Sequence, residues 1–153
     1  MLNLKRAAVF LSVVLIFLVL AAPAGAEGTV LNDLNGKTAD ISSHKGAPRL
    51  FLFWTTWCPY CRTEIQTLDH MAPKMQKAGI EVFAINVGEL DHKVAKFIGQ
   101  HMLTLRVLLD RDGRAADNYD VIGVPTYILL DKTGKVVAHE NAFPDDYKNL
   151  LKE

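Results

Sequence analysis

The chain has 153 residues, and its 17 lysine and arginine residues balance 17 aspartate and glutamate residues, so its formal net charge is zero. A balanced chain offers no strongly basic surface for nucleic acid or for an anionic membrane. Two cysteines are too few for the disulfide framework of a small secreted scaffold. These numbers argue against a nucleic-acid partner and against a fold stapled by disulfides.

The first 26 residues have the pattern of a segment that directs export. A basic pair precedes an apolar run over residues 7–22, and Ala24-Gly25-Ala26 is a small-residue cleavage site. We predict a signal peptide over residues 1–26. The alternative is an uncleaved membrane anchor, although the apolar run is shorter than the roughly 20 residues of a spanning helix. In both cases residues 27–153 are exported, and their length suits one domain.

Strand signals lie between the export segment and the cysteines. Asn35-Gly36, a strong hairpin signal, lies within residues 28–43 and predicts an N-terminal β-hairpin. A loop over residues 44–48 follows. Residues 49–54 then form an apolar run that is typical of a buried strand.

The two cysteines lie in the sequence Cys58-Pro59-Tyr60-Cys61, where the hydrophobic period changes. Beyond them, apolar residues recur every three or four positions and predict a helix. Its expected buried face carries Cys61, Ile65, Leu68, Ala72 and Met75. Cys58 is therefore expected at the helix N-terminus, where unpaired backbone N–H groups and the helix dipole favour a thiolate.

Their placement predicts a division of labour between the two sulfurs. Pro59 suits the first helical position, because its missing N–H has no partner to lose there. Cys61 lies one turn deeper, on the buried face, so we predict that Cys58 attacks a substrate and that Cys61 resolves the product. A loop this short would stabilise the fold little as a disulfide, which favours a catalytic pair.

The rest of the chain alternates strand and helix signals and ends with a hairpin and a helix. Pro73 lies inside the helix after the cysteines and predicts a kink near residues 69–73, or two short helices. Asp91 is predicted to be the N-cap of the next helix. The other predicted elements are strands over residues 80–87, 105–109, 127–130 and 135–139, a short helix over 114–119 and a last helix from residue 144.

Three stretches resemble the thioredoxin superfamily, and more narrowly the exported TlpA/ResA-like thiol–disulfide oxidoreductases: residues 53–61, 84–89 and 124–136. The resemblance covers nearly all of residues 29–153. It implies an α/β thioredoxin-like fold of three layers, with a central mixed sheet flanked by helices, over residues 27–153. It also implies that the N-terminal β-hairpin and a strand–helix insert before Pro125 are additions to the basic fold.

The resemblance extends to individual residues of the expected site. Pro125 matches a cis-proline that faces the cysteines in the family; it would present the backbone of Val124 to an extended substrate. The alternative is an ordinary trans proline that begins a strand. Trp57, Pro59 and Tyr60 are expected to complete the substrate-binding rim.

Acidic positions depart from the thioredoxin pattern. Leu52 occupies the place of the buried aspartate of thioredoxins, and Glu89 matches a family carboxylate near the active-site cavity. Buried near Cys61, Glu89 could shuttle a proton for the resolving thiol; the alternative is a solvated turn residue. Glu64 also matches a family acid and is interpreted as surface charge.

The family implies a monomeric protein-disulfide oxidoreductase whose only redox group is the Cys58–Cys61 pair, without a metal or other cofactor. Its expected partners are protein disulfides, such as those of apocytochrome c in cytochrome c maturation, and a membrane thiol reductase of the CcdA or DsbD type as electron donor. The opposite direction, disulfide formation, stays open. So does a copper-binding assembly factor with Cys58, Cys61 and a distant histidine, such as His139, as ligands, although copper chaperones of this fold usually space the cysteines by three residues.

Overall fold

The computed structural model describes residues 28–43 and 46–152, so the predicted export segment lies outside the described residues. The described strands are β1 (Val30–Asp33), β2 (Thr38–Asp40), β3 (Arg49–Trp54), β4 (Glu81–Val87), β5 (Val107–Asp110), β6 (Thr126–Leu130) and β7 (Val136–Glu140). The described helices are α1 (Pro59–Lys77), α2 (Asp91–His101), α3 (Arg114–Asn118) and α4 (Tyr147–Leu150).

All seven described strands form one mixed sheet in the order β2-β1-β5-β4-β3-β6-β7. β3 and β4 are parallel, as are β4 and β5, whereas the remaining pairs are antiparallel. β1 and β2 form the predicted N-terminal hairpin, and Gly36 in its loop has a positive φ of 78° that favours glycine. The predicted α/β fold with a mixed central sheet is confirmed.

β3 lies in the middle of the molecule, and all six of its residues are buried. Successive side chains of a strand point to opposite faces of the sheet. Leu50, Leu52 and Trp54 pack in the core that includes the buried face of α1. Phe51 and Phe53 pack in the second core with two alanines of α3. The sheet is thus the middle of three layers, and the end of β3 leads directly into the segment that carries Cys58.

α1 is one continuous helix of 19 residues, so the alternative of two short helices is wrong. Pro73 lies inside it, where an interior proline costs roughly 3 kcal/mol. The buried face consists of the five predicted residues, and burying one large apolar side chain contributes about 1.5–3 kcal/mol. Packing along this face therefore outweighs the local cost of the proline.

The start of α2 also differs from the prediction. Leu90, in an extended conformation, is the N-cap, and Asp91 is the first helical residue. The Asp91 carboxylate accepts two hydrogen bonds from the Arg111 guanidinium, at 2.8 and 2.6 Å, which lowers the pKa of Asp91. The Asp91 carboxylate forms an exposed ion pair with Arg111, in the loop after β5, and does not cap the helix.

No helix within residues 28–43 and 46–152 is long and apolar enough to cross a membrane.

Candidate active site

Cys58 lies at the junction of β3 and α1, as the N-cap of the helix. Its φ of −79° and ψ of 120° are extended, and Pro59 follows as the first helical residue. The Cys58 Sγ accepts a hydrogen bond from the Cys61 backbone N–H, with 3.4 Å between sulfur and nitrogen. This contact places the sulfur at the positive end of the α1 dipole, where negative charge on it is stabilised. The predicted position of Cys58 is confirmed.

Cys61 is fully buried behind Cys58, and both cysteines are free thiols. Burial raises the pKa of Cys61 to about 12, and the neighbouring Cys58 adds to the rise. The backbone N–H and the hydroxyl of Thr55 act in the opposite direction, because hydrogen bonds from them favour the thiolate. Cys61 is therefore a neutral thiol at physiological pH, whereas Cys58, with 5% of its surface exposed, is the sulfur that solvent can reach.

Thr55 influences Cys61, and sequence reasoning missed it. It is 4% exposed, and its buried hydroxyl oxygen has no hydrogen-bonding partner among the described residues. A buried hydroxyl with no other partner is available to a thiolate that forms beside it.

The segment before β6 forms the opposite wall of the site. The Val124–Pro125 peptide bond is cis, and the Cys58 thiol donates to the Val124 carbonyl oxygen, with 3.7 Å between sulfur and oxygen. Trp57 and Tyr60 are 66% and 78% exposed, and Pro59 is exposed beside them. The structure therefore brings together Cys58, Val124 and the three predicted rim residues at the end of the sheet where β3 finishes and β6 begins.

Glu89 lies in the loop between β4 and α2 and is half-buried. Its carboxylate accepts hydrogen bonds from the Thr56 N–H at 2.6 Å, the Thr56 hydroxyl at 2.7 Å and the Asn86 amide at 2.8 Å. Every one of these contacts goes to the segment before Cys58 or to β4. Glu89 thus holds the loop that carries the cysteine, and its role as a proton shuttle for Cys61 stays a prediction.

Tyr127 and Glu64 form the wall behind Cys61. Tyr127 is fully buried in β6, and its hydroxyl donates to the Glu64 backbone carbonyl at 3.0 Å. Burial raises the pKa of Tyr127, and Glu64 and Cys61 nearby raise it further. The Glu64 carboxylate accepts from the Phe143 N–H at 3.2 Å, so the interpretation of Glu64 as a surface charge is incomplete.

His139 does not approach the cysteines. It pairs with Ile128 in the β6–β7 ladder and lines, with Tyr119 and Ile128, an open groove of about 740 Å³. Ile128 belongs to the core on the face of the sheet opposite α1. Within the described part of the chain, no three or more His, Cys, Asp or Glu side chains are grouped to hold a metal ion. A copper site formed by Cys58, Cys61 and His139 is therefore incompatible with this geometry.

This fold, with two cysteines at the start of α1, defines a thioredoxin-like protein. Residues 24–139 match the model of the AhpC/TSA family, and the chain belongs to that family. Over 108 residues it is 36% identical to the thiol-disulfide oxidoreductase ResA of Bacillus thuringiensis. This match covers 71% of this chain and 62% of that relative. Over 128 residues it is 35% identical to ResA of Bacillus subtilis, and this match covers 80% of this chain and 72% of that relative.

A solved structure shares the same architecture. The thioredoxin domain of a thiol-disulfide oxidoreductase from Bacteroides vulgatus superimposes with a TM-score of 0.70 at 26% identity, over 87% of this chain and 97% of that domain. The match with the Bacillus thuringiensis relative, in contrast, spans less than two thirds of that protein's length.

Proposed function

We propose that this protein exchanges thiols and disulfides with protein substrates through Cys58 and Cys61. The Cys58 thiolate attacks one sulfur of a substrate disulfide, forms a mixed disulfide and expels the other substrate sulfur as a thiolate. Cys61 then loses its proton and attacks the Cys58 sulfur. The second substrate sulfur leaves, and a Cys58–Cys61 disulfide remains. Two electrons pass from the protein to the substrate.

One observation carries the proposal: Cys58 caps α1 at the solvent edge, while Cys61 lies fully buried one turn behind it. The first sulfur is accessible and its negative charge is stabilised by the helix. The second is protected from external disulfides and lies within reach of the first. An attacking sulfur and a resolving sulfur require these two environments. The curated relatives named thiol-disulfide oxidoreductases support the same chemistry.

We further propose that the protein works outside the cytoplasm as a reductant. The export pattern of residues 1–26 supports this location. In that oxidising setting a reductant needs an electron source. A membrane thiol reductase of the CcdA or DsbD type would supply the electrons, and disulfide-bonded apocytochrome c is a candidate substrate. Nucleic acid has no place in this scheme, and the protein would act as a monomer.

The test is insulin reduction by the dithiol protein under metal-free conditions, together with the reduction potential of the cysteine pair. We expect turnover by the wild type and none by Cys58→Ser. A potential near about −270 mV, in the range of thioredoxin, supports a reductant, whereas about −120 mV indicates a disulfide-forming oxidant. No insulin reduction by the metal-free wild type would contradict the proposed activity.

Replacing Thr55 with valine is expected to raise the pKa of Cys61, because the hydroxyl that favours the Cys61 thiolate is removed while side-chain shape is kept. Less thiolate then forms at a given pH, so the pH profile of mixed-disulfide resolution shifts to higher pH. At neutral pH, resolution slows about threefold to tenfold. Stopped-flow release of a peptide thiol measures this step.

Thr55→Ser, which keeps the hydroxyl, is the matched control and should retain the wild-type profile. The free energy of unfolding should not fall in Thr55→Val, since a buried hydroxyl without a partner costs stability. Equal pH profiles for the valine and serine variants would show that the hydroxyl has no influence on Cys61.

A further inference from the structure

The three residues after β7, Asn141 to Phe143, connect the turn before β6 to α1. The Asn141 side-chain amide donates to the Pro125 carbonyl at 2.8 Å and lies 3.4 Å from the Thr126 hydroxyl oxygen. Phe143 donates its backbone N–H to the Glu64 carboxylate on α1 at 3.2 Å. One short segment thus joins the strand that carries Val124 to the helix that carries both cysteines.

The contacts on the Val124 side continue to the reacting sulfur. The Thr126 hydroxyl donates to the Gly123 carbonyl at 2.7 Å, so Thr126 closes the turn that contains Val124 and Pro125. The Val124 carbonyl in turn faces the Cys58 sulfur at 3.7 Å. Asn141 therefore holds the far side of a turn whose near side contacts the nucleophile.

Asn141 is exposed, whereas the residues that it holds are buried in β6 or just before it. The Asn141 side chain adds no apolar area to either core, and one hydrogen bond to an exposed amide contributes about 1 kcal/mol to stability. The clearest consequence of the contact is geometric, because it fixes the direction of the Pro125 carbonyl and with it the adjoining Val124 peptide group.

We propose that Asn141 is a positioning residue that sets the preference of this protein for disulfides within an extended polypeptide. This inference rests on the proposed exchange activity. A polypeptide substrate must align its backbone with Val124 while its disulfide reaches Cys58, as a strand added to an edge does. A small disulfide without a peptide backbone needs only access to Cys58. A loosened Val124 turn therefore penalises polypeptide substrates selectively.

The experiment compares Asn141→Ala and Asn141→Asp with the wild type in single turnovers from the dithiol form, with insulin and with the small disulfide dithiobis(nitrobenzoate). We expect the alanine variant to react about fivefold to tenfold more slowly with insulin, as one lost hydrogen bond predicts. The loss should appear as a higher insulin concentration at the half-maximal rate. Aspartate should lose more, because its oxygens repel the Pro125 carbonyl. Rates with the small disulfide should stay within about twofold of the wild type.

Asn149→Ala is the matched control, because Asn149 is an exposed asparagine of α4 whose side chain contacts Lys152. It should match the wild type with both disulfides. Wild-type rates for Asn141→Ala with insulin would overturn the inference. So would equal losses with both disulfides accompanied by a lower melting temperature, since these indicate a general structural effect. Failure of the wild type to reduce insulin, in contrast, would overturn the proposed function itself and the inference with it.

Discussion

Cys61→Ser is expected to accumulate a covalent adduct with a substrate instead of turning over. Cys58 keeps its place at the N-terminus of α1 and still attacks the substrate disulfide. No second thiol remains in the chain to resolve the product, because the sequence contains only two cysteines. Resolution then depends on thiols from solution. Losing a well-placed intramolecular group slows turnover by roughly a hundredfold or more. Mass spectrometry under non-reducing conditions should detect one substrate peptide for each protein.

Cys58→Ser is the control for this adduct, because it also leaves one sulfur but leaves the buried one. Cys61 is fully buried, and burial raises the pKa of its thiol, so it should react slowly with an external disulfide at neutral pH. As the pH rises, the Cys61 thiolate forms and the difference between the variants should narrow. Equal adduct formation by both variants at neutral pH would contradict the assignment of Cys58 as the attacking sulfur.

Glu89→Ala is expected to slow exchange about tenfold and to lower the free energy of unfolding by about 2 kcal/mol. The substitution leaves the Thr56 N–H, the Thr56 hydroxyl and the Asn86 amide without their shared acceptor. The loop that leads to Cys58 then loses its fixed position. Insulin reduction and urea denaturation measure the two effects.

Glu89→Gln separates the two roles of this residue. The glutamine carbonyl oxygen can accept from the Thr56 N–H and from Asn86, and the Thr56 hydroxyl can rotate to accept from the glutamine amide. A positioning role therefore predicts rates within about threefold of the wild type, which is the result that the contacts support. If Glu89→Gln were as slow as Glu89→Ala, with a shifted pH profile, Glu89 would act as the proton shuttle predicted from sequence.

The control for charge near this end of the sheet is Glu140→Gln, because Glu140 is exposed at the end of β7. It removes the same charge without removing a contact to the Thr56 loop. A slow Glu140→Gln would indicate that net charge at this edge, and not the Glu89 contacts, governs the rate.

Local patterns in the sequence were sufficient for the central elements of the fold. The apolar run of β3 and the helical spacing of Cys61, Ile65, Leu68, Ala72 and Met75 each require only neighbours along the chain, and both are confirmed. The position of Cys58 follows from these two elements, since it lies between the apolar run of the strand and the helical spacing that comes after it. Asn35-Gly36 likewise determined the hairpin through the conformation that glycine allows.

Local signals failed where a residue had a choice of partners. Asp91 has the chemistry of an N-cap, yet its carboxylate pairs with Arg111, which the fold brings from the loop after β5. Pro73 has the chemistry of a helix breaker, yet the buried face of α1 keeps the helix continuous. In both cases the observed structure follows contacts between residues distant in sequence and not the local preference.

The sequence by itself determined the place of the two cysteines at the start of a helix and the order of strands and helices around them. Tertiary structure alone decided two contacts around that pair: Glu89 on the Thr56 loop and Asn141 on the turn before β6. The physical reason is distance along the chain. Thr56 and Glu89 are separated by 33 residues and Pro125 and Asn141 by 16, and no periodicity in the sequence encodes contacts of that range.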